Sequence, residues 1–119
     1  MNRDWPQMAA ELSSAIRVLR AGTPDTMRAF STLAQAALVP KALDGKTKEL
    51  LALGIAVAIR CDGCVAFHAE AAVKQGASRE EVMETMGMAV YMGAGPSVMY
   101  AAQAVEAFDQ FSAKRVAPD

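Results

Sequence analysis

Leu50-Leu-Ala-Leu-Gly-Ile-Ala-Val-Ala-Ile59 carries no polar side chain, and Asp44-Gly45-Lys-Thr-Lys-Glu49 leads into it with a cap residue and a charged first turn. This reads as a helix, and a helix apolar on every side belongs in an interior. Directly after it, Asp62-Gly63 interrupts the pattern, and a second helix is predicted to carry Cys64 to about Gln75, with Gly76 as its left-handed terminator. The apolar segments on either side repeat at helical rather than alternating intervals, so the fold class is all-α.

Working outward, Asp4 is placed to cap a helix with Trp5 and Pro6 in its first turn, reaching about Leu19 and ending before Gly22. Thr23-Pro24 starts the next, with Met27, Phe30, Leu33, Ala34 and Ala37 at helical spacing and Pro40 closing it. Ser78-Arg-Glu-Glu81 has the spacing of a capping box for a helix that carries Val82, Met86, Ala89 and Val90 and fades at Gly93-Ala-Gly95. Pro96 then opens a last helix striped by Val98, Ala101, Val105 and Phe108, and the end from Ala113 to Asp119 is expected to fray. The expectation is about six helices in a single compact domain over residues 1–119, with Trp5 and Phe30 packing the first two helices against the rest.

The 119 residues are 53 % hydrophobic, more apolar surface than so small a domain hides, so part of it is expected between subunits of a homo-oligomer. Net charge is −1 with scattered basic residues, which excludes an electrostatic footprint for nucleic acid or an anionic membrane. Met1-Asn-Arg-Asp-Trp5 has no basic leader, and no stretch approaches the roughly 18 apolar residues of a membrane span. The protein is therefore expected to be soluble and cytoplasmic, a compartment where paired cysteines are redox-cycling, catalytic or metal-binding.

Cys61, Cys64 and His68 are the chain's only cysteines and histidine, and they fall within one short window. Spacings of three, four and seven set all three on one helix face. At a helix start, unpaired amides and the helix dipole lower thiol pKa below about 8.5, and a histidine one turn on takes the thiol proton or pairs with the thiolate. Cys64, nearer His68, is assigned the attack on peroxide. Cys61, nearer the helix end and expected to be the more exposed, is assigned to resolve the sulfenic acid and to meet the reductant.

From about Leu38 to Phe108 the sequence resembles the carboxymuconolactone decarboxylase superfamily, in its alkylhydroperoxidase D-like branch. The resemblance rests on Lys46-Thr-Lys-Glu-Leu50 opening an apolar helix, on Cys61-Asp-Gly-Cys64 and Val-Ala-Phe-His68, on Gln75-Gly-Ala-Ser-Arg-Glu-Glu81 and on Gly93-Ala-Gly-Pro96. It implies a helical fold assembled as trimers or hexamers, and a proton relay in which Glu49 and His68 serve Cys61 and Cys64. Some members carry a further relay histidine just before the second cysteine, where this chain has Gly63. Decarboxylase members generally lack the CxxC. The implied substrate is a small hydroperoxide, with a dithiol or lipoyl-type donor as reductant and no bound cofactor, because the cysteines carry the electrons.

Other assignments fit the same residues. The cysteines could be small buried hydrophobes, or zinc ligands with His68 and Glu49, in a non-catalytic assembly subunit. His68 could be a satisfied core histidine. Glu49 could simply favour the helix dipole, since twelve residues of straight helix put it roughly 18 Å from Cys61. Met83, Met86, Met88, Met92 and Met99 read as core or subunit packing, Lys46, Lys48 and Arg60 as solvated helix ends, and Phe67 with the apolar helix as substrate-pocket walls. Within catalysis, a disulfide reductase or redox sensor with little peroxide turnover is the alternative.

Overall fold

The computed structural model describes residues 3–116, and these form five helical elements with no strand among them. They are α1 (Trp5–Gly22), α2 (Pro24–Leu38), α3 (Gly45–Ile59), α4 (Asp62–Lys74) and α5 (Arg79–Val116). Three of these starts carry the caps the sequence signals, whereas Thr23 ahead of α2 makes no side-chain cap bond. Asp4 accepts from Gln7 N at 3.0 Å and Asp44 from Thr47 N at 2.8 Å. Ser78 and Glu81 close a reciprocal capping box, with Ser78 N donating to Glu81 Oε1 at 2.8 Å and Glu81 N to Ser78 Oγ at 3.1 Å. Gly76, at φ 80°, ends α4 in the left-handed conformation.

α5 joins what the sequence divides into a fifth and a sixth helix, and its geometry explains both descriptions. Ala94 stands at φ 56°, ψ −143°, where no helix can continue, and a Cβ on Gly93 would collide with the Ser97 side chain. Arg79 Nε lies 3.0 Å from Asp109 Oδ1 although 30 residues separate them, a span of about 45 Å along a straight helix. The element therefore folds back on itself at Ala94 as a hairpin of two arms. Its second arm stays helical through Val116, further than the fraying expected from Ala113; residues 117–119, like Met1 and Asn2 of the N-terminal reading, lie outside the described part.

The core gathers Leu53, Ala56 and Val57 of α3, Val65, Ala66, Ala69 and Ala72 of α4, and Val82, Met86, Ala104, Phe108 and Phe111 of α5. The alanine face of α4 lets its neighbours approach closely. Trp5 seals the end of this bundle, fully buried, with its backbone N donating to Gln110 Oε1 at 2.7 Å and Nε1 to Glu106 Oε1 at 2.8 Å.

Phe30 does not share that role. It is 60 % exposed, and α2 buries no residue at all. The second half of α1 and the whole of α2 form an arm whose apolar residues Val18, Leu19, Phe30 and Leu33 face outward. The radius of gyration, 14.5 Å against about 13.5 Å for a compact chain of this length, carries the same message. α3 too departs from full burial, because Leu51, Ile55 and Ile59 are exposed along one side. With Thr85, Met88 and Met92 of α5, Leu51 and Ile55 line an open apolar groove of about 220 Å³. Of the methionines from Met83 to Met99 only Met86 is core; Met83, Met88, Met92 and Met99 are exposed in the single chain.

Candidate active site

Only Arg60 and Cys61 separate the end of α3 from the start of α4. Arg60 takes the left-handed conformation (φ 61°, ψ 51°) with its N–H directed to the Ala56 and Val57 carbonyls, and Cys61 N reaches back to Ala56 O at 3.1 Å. This is a Schellman-type ending with arginine where glycine is usual. Cys61 then becomes the N-cap of α4, its Sγ accepting from Cys64 N at 3.2 Å. The two cysteines are joined as a disulfide with Cα atoms 5.2 Å apart. Both residues are partly buried, so exposure does not separate them as expected, although Cys64 packs against the core.

Because the bend occupies a single residue pair, α4 returns alongside α3 and brings Glu49 to His68. Glu49 Oε1 lies 2.7 Å from His68 Nδ1 within the same chain. Glu49 is 8 % exposed, a burial that helix-dipole stabilisation does not require. A carboxylate only accepts, so this contact fixes the imidazole proton on Nδ1 and leaves Nε2 to accept one. Cys64 shares His68's helix face one turn away. The structure thus pairs Glu49 with His68 and Cys61 with Cys64, the two pairs meeting α4 one turn apart. It does not bring the apolar side of α3 to them, because the groove beside Leu51 and Ile55 contains none of the four. Phe67 is partly buried against the core.

Leu12 of α1 packs close to the position before the second cysteine: a Cβ on Gly63 would stand 3.0 Å from Leu12 Cδ1, so a side chain there requires the tip of that leucine to give way. Asp62, inside the motif, and two residues the sequence did not signal, Arg3 and Tyr100, bear on the site's charge. Asp62 pairs with Arg3 Nη1 at 2.7 Å. The Tyr100 phenol first, then Arg3, holds the Asp62 carboxyl below the usual aspartate range, and Asp62 in turn raises the Tyr100 phenol. Only Asp62, inside the motif, offered a local cue; Arg3 and Tyr100 arrive by tertiary folding. Lys46 pairs with Glu81 at 2.8 Å and Lys48 Nζ caps the Ala37 and Val39 carbonyls, so both tie helices together rather than only solvating an end. Among the described residues no three histidine, cysteine or carboxylate side chains converge as a metal site, and no helix is long and apolar enough to cross a membrane.

This small helical bundle, with a cysteine pair capping one of its helices, has known counterparts. The sequence profile of the carboxymuconolactone decarboxylase family matches residues 24–107. A crystal structure of a carboxymuconolactone decarboxylase family protein from Legionella pneumophila superposes with a TM-score of 0.88 at 51 % identity, covering 91 % of this chain and 96 % of that one. A Thermotoga maritima family member, whose description ties it conditionally to the antioxidative response, gives a TM-score of 0.75 at 30 % identity over 95 % of this chain and 94 % of its own. An uncharacterized protein of Cupriavidus necator is 34 % identical over 113 residues, 95 % of this chain and all of its own length. The chain belongs to the carboxymuconolactone decarboxylase family.

Proposed function

We propose that this chain is a thiol-dependent hydroperoxide reductase of the alkylhydroperoxidase D-like kind. The observation that carries the reading is the closed Cys61–Cys64 pair at the start of the helix whose next turn holds His68, itself bonded to Glu49 of α3. In the reduced state His68 Nε2 takes the Cys64 proton and the Cys64 thiolate attacks the terminal peroxide oxygen. The O–O bond breaks, an alcohol leaves with the proton returned by His68, and Cys64 becomes a sulfenic acid. Cys61, whose sulfur is stabilised as a thiolate by the Cys64 amide, attacks that sulfur and displaces hydroxide, which takes up the proton lost by the Cys61 thiol and leaves as water, forming the disulfide. A dithiol donor such as a lipoyl group or a small redox protein restores both thiols by exchange. No bound cofactor enters this cycle.

The cycle assigns the protein to the cytoplasm, where such donors keep thiols reduced. The outward apolar faces of the α1–α2 arm and of the α3/α5 groove support assembly as a homo-oligomer of three or six copies. A second reading, a disulfide reductase or redox sensor with little peroxide turnover, is favoured by Gly63 at the position where some members carry a relay histidine. Turnover of an organic hydroperoxide with a dithiol donor, compared between the parent and Cys64→Ser, decides among them. Peroxide-dependent turnover lost in the variant supports the peroxidase. Disulfide exchange without peroxide turnover selects the second reading, and equal peroxide rates in both proteins overturn a role for the thiol.

A further inference from the structure

The chain leaves two apolar surfaces uncovered, on different parts of the molecule. One is the α1–α2 arm, where Val18, Leu19, Phe30 and Leu33 are each more than half exposed. The other is the groove between α3 and the first arm of α5, where Leu51, Ile55, Met88 and Met92 are exposed. Neither covers the other within one chain, because α2 touches only α1 and α3 and makes no contact with α5. Single exposed apolar side chains are ordinary, but each of these sets presents roughly 500 Å² of apolar side chain, the size of the largest patch a monomer usually carries. With its polar rim, each approaches the roughly 800 Å² that one partner contributes to a stable interface.

The rims of the two surfaces carry opposite charge. Arg17 and Arg20 are exposed one turn apart on the arm, and Arg20 lines the hollow that Leu19 and Phe30 share. Neither arginine enters an ion pair among the described residues. Glu80 and Glu84 are exposed one turn apart on the first arm of α5, with Glu84 one turn ahead of Met88 in the groove. Among the described residues every other carboxylate side chain is engaged by a hydrogen bond or an ion pair, and these two are not. Charge therefore chooses the pairing. Arm on arm sets arginine against arginine and groove on groove sets glutamate against glutamate, whereas arm on groove joins opposite charges around an apolar centre. We propose that the α1–α2 arm of one copy docks on the α3/α5 groove of the next, Leu19, Phe30 and Leu33 covering Leu51, Ile55 and Met88 while Arg17 and Arg20 face Glu80 and Glu84. The contact is head-to-tail: each copy gives its arm to one neighbour and its groove to another, an arrangement that closes as a ring. The inference rests on the homo-oligomer proposed above and specifies which surface meets which.

The test measures mass by light scattering on the full-length chain, at a concentration where the parent is fully assembled. Phe30→Glu with Leu33→Glu spoils the arm, Ile55→Glu with Met88→Glu spoils the groove, and circular dichroism checks each fold. Each variant alone is expected at the 12.6 kDa monomer mass. Their equimolar mixture should form a two-chain hybrid, the intact arm of one seated on the intact groove of the other, and nothing larger. A groove variant that keeps the parent's mass overturns the proposal in favour of arm on arm, and an arm variant that keeps it overturns the proposal in favour of groove on groove. Two monomeric variants that form no hybrid overturn it as well. Should either variant fail to fold, surface charge decides. Arg17→Glu with Arg20→Glu, and Glu80→Arg with Glu84→Arg, are each expected to weaken assembly roughly three- to tenfold, and all four substitutions in one chain to restore it to within roughly twofold of the parent. A fourfold variant no tighter than either pair overturns the proposal. Those outcomes, with a parent of three or more copies, defeat this inference alone; a monomeric parent defeats the homo-oligomer and this inference with it, and leaves the thiol cycle to its own assay.

Discussion

Replacing Glu49 by glutamine tests the relay with the least disturbance of shape. In the parent, a carboxylate that is 8 % exposed meets His68 Nδ1 at 2.7 Å, a charge-assisted bond in a partly dry setting. Hydrogen bonds to charged groups contribute about 1.5–3 kcal/mol and neutral ones about 0.5–1.5 kcal/mol, so the amide forfeits about 1–1.5 kcal/mol of the support given to His68 when it takes the thiol proton. At 1.36 kcal/mol per tenfold, Glu49→Gln should slow peroxide turnover about 5- to 15-fold. Glu49→Ala, which also unpins the ring, should slow it about 10- to 150-fold. The assay is consumption of an organic hydroperoxide with excess dithiol, repeated in a His68→Ala background where Glu49→Gln should have no further effect. Parent-like turnover in Glu49→Gln, or the same loss with and without His68, would refute the relay.

Single-turnover experiments separate the cysteines: Cys61→Ser should consume one peroxide per chain and accumulate a sulfenic acid on Cys64, whereas Cys64→Ser should consume none, and the opposite pattern reverses the assigned order. Ala94→Gly should stabilise the protein, since a non-glycine residue at φ 56°, ψ −143° carries strain of about 1–3 kcal/mol and glycine gives back about 0.4–1 kcal/mol in chain entropy. A net gain of about 1 kcal/mol corresponds to roughly 4 °C in melting temperature, read by thermal denaturation. Because the folded Asp62 carboxyl is depressed, the stability it contributes is full above the unfolded value of about 3.9 and is lost as pH falls through the lower folded value. Urea midpoints below pH 4 should therefore fall less steeply in Asp62→Asn than in the parent. Phe30→Glu with Leu33→Glu should drive the protein towards its 12.6 kDa monomer mass in light scattering, while the parent remains at three or more copies.

Helix starts were legible because caps are local: Asp4, Asp44, Pro24 and the Ser78–Glu81 box each identify themselves within four residues. The break near Gly93 was legible for the same reason. Its sense was not, because only the long-range Arg79–Asp109 pair shows that the two arms reverse. The α1–α2 arm misled for a physical reason: the stripe of Phe30 and Leu33 signals burial but not whose surface covers it, and within one chain nothing does. At the site, the cysteines and His68 were placed by spacing alone. The approach of Glu49 depended on a sharp turn at Arg60, and an arginine in the left-handed conformation leaves no glycine to announce it. Arg3, Leu12 and Tyr100 reach the motif through packing of α1 and α5, which no local pattern encodes.

The proposed cycle requires the sulfur pair to change state with its substrate, and counting free thiols per chain before and after one equivalent of organic hydroperoxide measures that directly. Both of the chain's 2 cysteines should titrate as thiols when reduced, vanish together with the peroxide, and return when a dithiol donor is added. Thiols that persist at full count in excess hydroperoxide would contradict it.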